Sequence, residues 1–162
     1  MNNTSNEAAT TAQDVRQLVT FSVGDTAFGI DIAFVQEINP HLDVTKVPGA
    51  SPMIHGVVNL RGDVVTVLDP HRILRIAADT APKDRRNLVL NIGGERIGVL
   101  VDKVSDILTV NQDELSQKPA NVRSVDRRLI DAVVLRNEQL VVILNATKLL
   151  EVVEQSSETE AA

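Results

Sequence analysis

The sequence contains no cysteine, no tryptophan and no tyrosine, and three phenylalanines are its whole aromatic content. Without cysteine there is no disulfide framework, thiolate metal ligand or thiol nucleophile, a pattern that fits a reducing, cytoplasmic setting. Without aromatics there is little to stack on nucleic-acid bases, and a net charge of −6 provides no basic face for phosphates, so no nucleic-acid partner is expected. Long apolar runs are also missing. None approaches the roughly 18 residues that span a bilayer, so no direct membrane insertion is expected. The opening "MNNTSNEAATTAQDVRQ" has neither the basic segment nor the apolar core of a secretory signal.

Catalytic signatures are absent as well: there is no GxSxG, HExxH or phosphate loop. His41, His55 and His71 have no metal-ligand spacing and no third ligand, so solvated or capping roles are expected and no metal or cofactor is implied. Asp113-Glu114 lies in a polar stretch without the burial that acid–base chemistry requires. "KDRR" (83–86) reads as a solvated connection. Gly93-Gly94 reads as a hairpin turn. The expectation is a protein that is not an enzyme.

What the sequence does contain is a series of short Val/Ile/Leu-rich runs separated by Gly, Asn, Asp and Pro, among them "LVTFSV", "NLVLNI" and "LVVILN". That is the pattern of an all-β domain with short helices. Residues 1–16 read as a disordered tail and 153–162 as a polar C-terminal tail, leaving 17–152 as the ordered domain. An internal repeat organises it. "MIHGVVNLRGDVVTVLDPHRIL" (53–74) aligns without a gap over "LIDAVVLRNEQLVVILNATKLL" (129–150), and "FGIDIAFVQEI" (28–38) over "IGVLVDKVSDI" (97–107). Two copies of one small β-unit follow, with a boundary at about 75–87, and strands this short manage their edges best in small closed barrels. Asp69-Pro70 and Asn145 are helix-start signals in equivalent columns. Ser51-Pro52 predicts a further helical turn over "MIH". The stretch 109–128 shows no clear strand, and "DELSQ" within it is a candidate short helix.

"NLRGDVVTV" contains an Arg-Gly-Asp tripeptide, but the three residues are consumed by a hairpin rather than displayed on a flexible loop. With the turn at Gly62-Asp63 and Gly62 supplying the positive φ, Arg61 faces Val64, Leu60 faces Val65, Asn59 faces Thr66 and Val58 faces Val67. Alternation then puts Val58, Leu60, Val65 and Val67 in the barrel interior and Arg61 outside.

"IHGVVNLRGDVVTVLD", together with "FGIDIAFVQEI", "VTKVPGASP" and "IGVLVDKVSDIL", resembles in order and spacing the motifs of the CheW family of chemotaxis coupling proteins. The resemblance covers about 17–152. It implies two pseudo-repeated, intertwined, five-stranded SH3-like β-barrels sharing a hydrophobic core. It also implies a non-enzymatic adaptor that couples the cytoplasmic helical tip of chemoreceptors to the regulatory domain of the histidine kinase CheA, recruited to membrane-associated receptor arrays. Carried over by motif, Glu37 and Arg61 match an ion pair near the receptor-binding surface, and a bidentate pair is expected. Val35 matches a groove-lining position; Ile32, three residues earlier, shares its face on a helical turn. Val104 is Val35's counterpart on the opposite wall. Core burial explains the valines equally well. Gly98 and Ile107 fall where the kinase-facing surface is expected, although Gly98 also suits a strand bend.

Departures from the family pattern are Thr66 for Pro, Pro70 for Leu, Ala132 for Gly and Phe28 for Tyr. They leave two other readings open: a scaffold of the same family in a twitching, gliding or other chemosensory pathway, and a small-ligand-binding β-barrel.

Overall fold

The computed structural model describes residues 15–40, 43–77, 84–116 and 127–161. Among the described residues ten strands form in chain order: β1 Val15–Val23, β2 Thr26–Asp31, β3 Val35–Pro40, β4 Ile54–Leu60, β5 Asp63–Leu68, β6 Arg86–Ile92, β7 Glu95–Val101, β8 Lys103–Asn111, β9 Ile130–Arg136 and β10 Gln139–Leu144. A short helix α1, Pro70–Leu74, follows β5, and α2, Ala146–Ala161, follows β10. Both helices start as their sequences dictate. Asp69 accepts a hydrogen bond from the His71 N–H (3.1 Å), and Asn145 Oδ1 accepts one from the Lys148 N–H (3.1 Å). Each cap satisfies a backbone donor that the first helical turn leaves open.

The strands make two five-stranded sheets, β8-β1-β2-β10-β9 and β3-β6-β7-β5-β4. Neither sheet is one copy of the repeat. Each takes the first hairpin of one copy and the last three strands of the other. The copies meet at four pairings, the antiparallel β1–β8 and β3–β6 and the parallel β2–β10, through Phe28 opposite Val142, and β5–β7, through Thr66 opposite Ile97. These pairs occupy equivalent positions in the two copies. The repeat unit predicted from sequence is therefore present, but a single cut at 75–87 does not separate the barrels. The chain changes sheet within each copy, through a 3-10 turn at Ile32–Phe34 after β2 and through the single residue Asp102 after β7.

Alternation produces three apolar layers. Val58, Leu60, Val65, Val67, Val89 and Leu100 fill one barrel, and Leu18, Val110, Val134, Val141 and Ile143 fill the other. Between them lies the largest cluster, to which Phe21 and Phe28 contribute from one sheet, Leu88, Leu90 and Val99 from the other, and Leu149 from α2. Each fully buried aliphatic side chain contributes about 1.5–3 kcal/mol, so the middle layer welds the barrels into one body.

Several local expectations are corrected. The β4–β5 turn is Arg61-Gly62, not Gly62-Asp63: Leu60 pairs with Asp63, Asn59 with Val64, Val58 with Val65 and Val57 with Thr66. Both turn residues have positive φ, 53° and 89°, which is the type I′ geometry matched to strand twist. Ser51-Pro52 makes a turn, with the Ile54 N–H bonded to Ser51 O (2.9 Å), and Ile54 already begins a strand rather than sitting in a helix. Strand β1 starts at Val15, inside the expected N-terminal tail, and α2 continues through 153–161, the expected C-terminal tail. Within 109–128, β8 runs to Asn111 and a 3-10 turn covers Gln112–Glu114. That turn takes in only the start of "DELSQ"; residues 117–126 lie outside the described residues, as does His41.

Candidate functional site: the barrel seam and the hairpin at Arg61

Arg61 sits at the first central position of its turn, and the Gly62 N–H is held by Asn59 Oδ1 at 3.0 Å. The left-handed conformation costs a side chain such as arginine on the order of 1 kcal/mol. The guanidinium projects outward, 77% exposed, and its Nη2 lies 2.9 Å from Oε2 of Glu37, which is only 17% exposed. Glu37 Oε1 is taken by Asn39 Nδ2 at 3.1 Å. The contact runs from Nη2 to Oε2, while Oε1 accepts from Asn39. Asp63 pairs with Arg96 of β7. Both charges of the Arg-Gly-Asp tripeptide are thus committed to ion pairs within the chain, which fits the turn reading and not a displayed ligand.

The Arg61–Glu37 pair joins the β4–β5 hairpin to β3, the opposite edge of the sheet. Just behind it, Thr45 and Val57 exchange backbone hydrogen bonds of 2.8 Å in both directions. The other barrel repeats the backbone exchange and adds an ion pair of its own, at positions not equivalent to Arg61 and Glu37. Ser116 and Val133, Val57's equivalent, exchange bonds of 2.8 and 3.0 Å, and Arg136 Nη2 reaches Glu114 Oε2 at 2.7 Å. The Asn111 backbone N–H, followed by Arg136, holds the Glu114 carboxyl below its ordinary range near 4.5.

Strand β3 carries a bulge opposite β6: Val35 faces Leu90 and Ile38 faces Leu88. A regular strand would put residues three apart on opposite faces; the extra residue puts both on the face toward the shared core. Strand β8 repeats the irregularity, with Val104 opposite Phe21 and Ile107 opposite Val19. Val35 and Val104 are half-buried against the central cluster, as is Ile32 in the 3-10 turn, where the Val35 N–H bonds to Ile32 O. Ile38 and Ile107 remain 44% and 56% exposed. The "V-x-E-I" and "V-x-D-I" motifs are therefore two equivalent apolar stripes, one on an edge strand of each sheet. Sequence reasoning singled out Ile107 and passed over its counterpart Ile38.

Gly98 and Ile107 do not come together: Gly98 is in β7 of one sheet and Ile107 in β8 of the other. Gly98 is buried, and a Cβ there would lie 2.4 Å from Oδ1 of Asn87. Its missing side chain admits the Asn87 amide, whose two polar atoms have no hydrogen-bond partner among the described residues.

Two further features escaped sequence reasoning. Asp102, at the crossover between sheets, is buried with His71 and Arg85. Its Oδ2 lies 2.9 Å from His71 Nε2 and accepts from the Gly24 N–H at 2.6 Å, and its Oδ1 is 3.4 Å from Arg85 Nε. His71 is therefore not a solvated histidine, nor is Arg85 part of a solvated connection. The available signal was a lone carboxylate ending the apolar run "IGVLVD". The other feature is a set of exposed aliphatics near the hairpin ends: Val64, its equivalent Leu140, and Leu135 (66% exposed) directly opposite Leu140. Among the described residues no cluster of three or more His, Asp or Glu is arranged to hold a metal, and no helix is long and apolar enough to cross a membrane.

The chain is similar to chemotaxis protein CheW of Rhizobium meliloti, with 31% identity over 147 residues, covering 91% of this chain and 92% of the relative. It is also similar to chemotaxis protein CheW of Treponema pallidum, with 27% identity over 137 residues and coverages of 82% and 81%. Its fold matches the crystal structure of the scaffolding protein TtCheW from Thermoanaerobacter tengcongensis with a TM-score of 0.75 at 25% identity, over 81% of this chain and 84% of that one. The CheW-like domain family model matches residues 17–154, both barrels and the seam between them, and the chain belongs to that family.

Proposed function

We propose that this chain, a CheW-type chemotaxis scaffold, works without catalysis as an adaptor between the cytoplasmic helical tip of a chemoreceptor and the regulatory domain of a CheA-type histidine kinase. The observation that carries this reading is the pair of equivalent bulged edge strands at the seam. They present Val35, Ile38, Val104 and Ile107 as short apolar stripes, flanked by the Arg61–Glu37 pair. An apolar strip rimmed by charge suits the laying-in of an amphipathic helix. In this reading Ile32, Val35, Glu37, Arg61 and Val104 serve the receptor, and Ile38 joins them. Ile107 and the exposed Leu135–Leu140 pair serve the kinase. Gly98 acts from inside by shaping its sheet. Recruitment to a membrane-associated array then runs through the receptor.

The test is a calorimetric titration with a receptor-tip fragment and, separately, with the kinase regulatory domain, using wild type and Arg61→Asn. Asparagine tolerates the left-handed turn, as Asn137 does at the equivalent position (φ 52°). The substitution removes the guanidinium while easing strain. An exposed pair is worth about 0–1 kcal/mol, so the variant stays folded with stability within about 1 kcal/mol of wild type. Receptor affinity should fall about tenfold or more, the loss of one charge-assisted contact, with kinase affinity unchanged. A folded variant with undiminished receptor affinity refutes the assignment of Arg61; wild type binding neither partner refutes the adaptor reading.

A further inference from the structure

The two barrels share a backbone plan but differ at the ends beside the β4–β5 and β9–β10 hairpins. In the first barrel three polar pairs span that end: Arg61 to Glu37 at 2.9 Å, Asn91 Nδ2 to Gln36 Oε1 at 3.2 Å, and Arg96 to Asp63. The strand registers identify the equivalents in the second barrel. Asn137 and Asp106 replace Arg61 and Glu37, Ser22 and Ser105 replace Asn91 and Gln36, and Ala27 and Gln139 replace Arg96 and Asp63. Among the described residues none of these replacement pairs is joined by a hydrogen bond or ion pair. The shorter side chains leave a cleft of about 330 Å³, lined by all six.

The floor of the cleft is apolar: Val141 is buried in the barrel core, with Ala27 and Leu108 packed against it. Hydroxyls of Ser22 and Ser105 and amides of Asn137 and Gln139 line it above. Its charged lining is Arg136 and Asp106. Arg136 is engaged, its Nη2 bonded to Glu114 Oε2 at 2.7 Å and to Thr109 O at 3.1 Å. The Asp106 side chain is exposed and has no partner among the described residues. Its backbone is nonetheless fixed, because Thr20 Oγ1 donates to Asp106 O at 2.6 Å. The second barrel thus keeps the carboxylate of the first and lacks the guanidinium that neutralises it.

We propose that this cleft binds a guanidinium group on an alkyl stem, which takes the place that Arg61 fills in the first barrel. The group donates to Asp106 and to the neighbouring serine and amide oxygens; its planar set of five N–H donors suits several acceptors around one carboxylate. The methylene stem lies on Ala27, Leu108 and Val141. Barrel mouths are a usual place for small sites, and the volume is at the lower end of the roughly 300–1,000 Å³ that ligand pockets span. An anion is disfavoured, since Arg136 is already paired. Free small molecules and the arginine side chain of a polypeptide both supply this chemistry. None of the residues assigned above to receptor or kinase contact lines the cleft, so the site stands or fails independently of the adaptor reading.

The experiment is a two-dimensional amide NMR titration of the whole chain at matched ionic strength. The probes are N-acetyl-L-arginine methylamide, free L-arginine, and the capped citrulline counterpart, which keeps the shape of the first and lacks its charge. The expected result is saturable shifts at the amides of Ser22, Ser105, Asp106 and Asn137 with arginine. Binding should be about tenfold or more weaker with citrulline and in Asp106→Asn, which lose the charge-assisted contact. Asn137→Arg should abolish it as well by filling the cleft from within, because Arg61 at nearly the same φ (53° against 52°) reaches the equivalent carboxylate. Binding of the capped probe, with or without free arginine, identifies a site for a polypeptide's arginine; binding of free arginine alone identifies a small-molecule site that also reads the charged α-carbon end. Scattered shifts, an equal response to citrulline, or binding that either variant retains in full overturns the proposal.

Discussion

Gly98→Ala gives the sharpest check on how sequence, packing and function connect here. A Cβ at Gly98 would come within 2.4 Å of Asn87 Oδ1 and 3.2 Å of its Cγ, and Asn87 is only 2% exposed, so the amide has little room to yield. Overpacking of this kind costs about 1–3 kcal/mol. For a chain of this length each kcal/mol corresponds to a fall of about 2–4 °C in Tm. Asn87→Ala alone should cost less than about 1 kcal/mol, because the amide it deletes has no hydrogen-bond partner among the described residues and removing it relieves a desolvation penalty. In the double variant the clash is gone, and alanine in place of glycine in a strand recovers about 0.5–1 kcal/mol of chain entropy. The two changes together should therefore sit close to wild type, with a coupling of about 1–4 kcal/mol. Urea denaturation of the four proteins measures that coupling. Additivity within about 0.5 kcal/mol would refute the packing account of Gly98 and return weight to a direct contact role.

Two further expectations follow from the polar groups. Asp102→Asn leaves Arg85 buried beside a neutral amide and weakens the bond to His71; breaking a buried pair costs about 3–5 kcal/mol, measurable by the same denaturation, and a loss below about 1 kcal/mol would contradict the anchoring role. Glu114, whose carboxyl is depressed in the fold by the Asn111 N–H and then Arg136, contributes stability that is present above its unfolded value and lost as pH falls through the folded one. The gap between wild type and Glu114→Gln should therefore be widest at neutral pH and close as the solution is acidified below about 4.5; a gap unchanged across that range would contradict it.

The Arg61 hairpin shows both how far sequence reading reaches and where it stops. The expected register was displaced, yet Val58, Leu60, Val65 and Val67 are all buried because the displacement preserved parity, and in a strand parity alone decides the face. What was missed is that Arg61 itself occupies a left-handed turn position, where propensity favours Asn or Gly. The bulges in β3 and β8 were also invisible: a Val-x-x-Ile spacing breaks strand alternation, and only pairing with Leu88 and Leu90 or with Val19 and Phe21 shows that both residues share a face. Asp102, His71 and Arg85 are far apart in sequence and carry no spacing signal.

Sequence alone determined the β-rich class, the helix starts at Asp69-Pro70 and Asn145, the two-copy repeat, and the family motifs. These follow from local propensity, capping and residue order, which neighbouring residues largely dictate. Tertiary structure decided that the two copies exchange hairpins, so that each barrel is built from both. A hairpin buries the same apolar face whichever copy receives it, and nothing in its own residues distinguishes those partners. The choice is made where the chain turns after Asp31 and at Asp102, and by the shared core of Phe21, Phe28, Leu88 and Leu90 that forms only once the exchange has occurred.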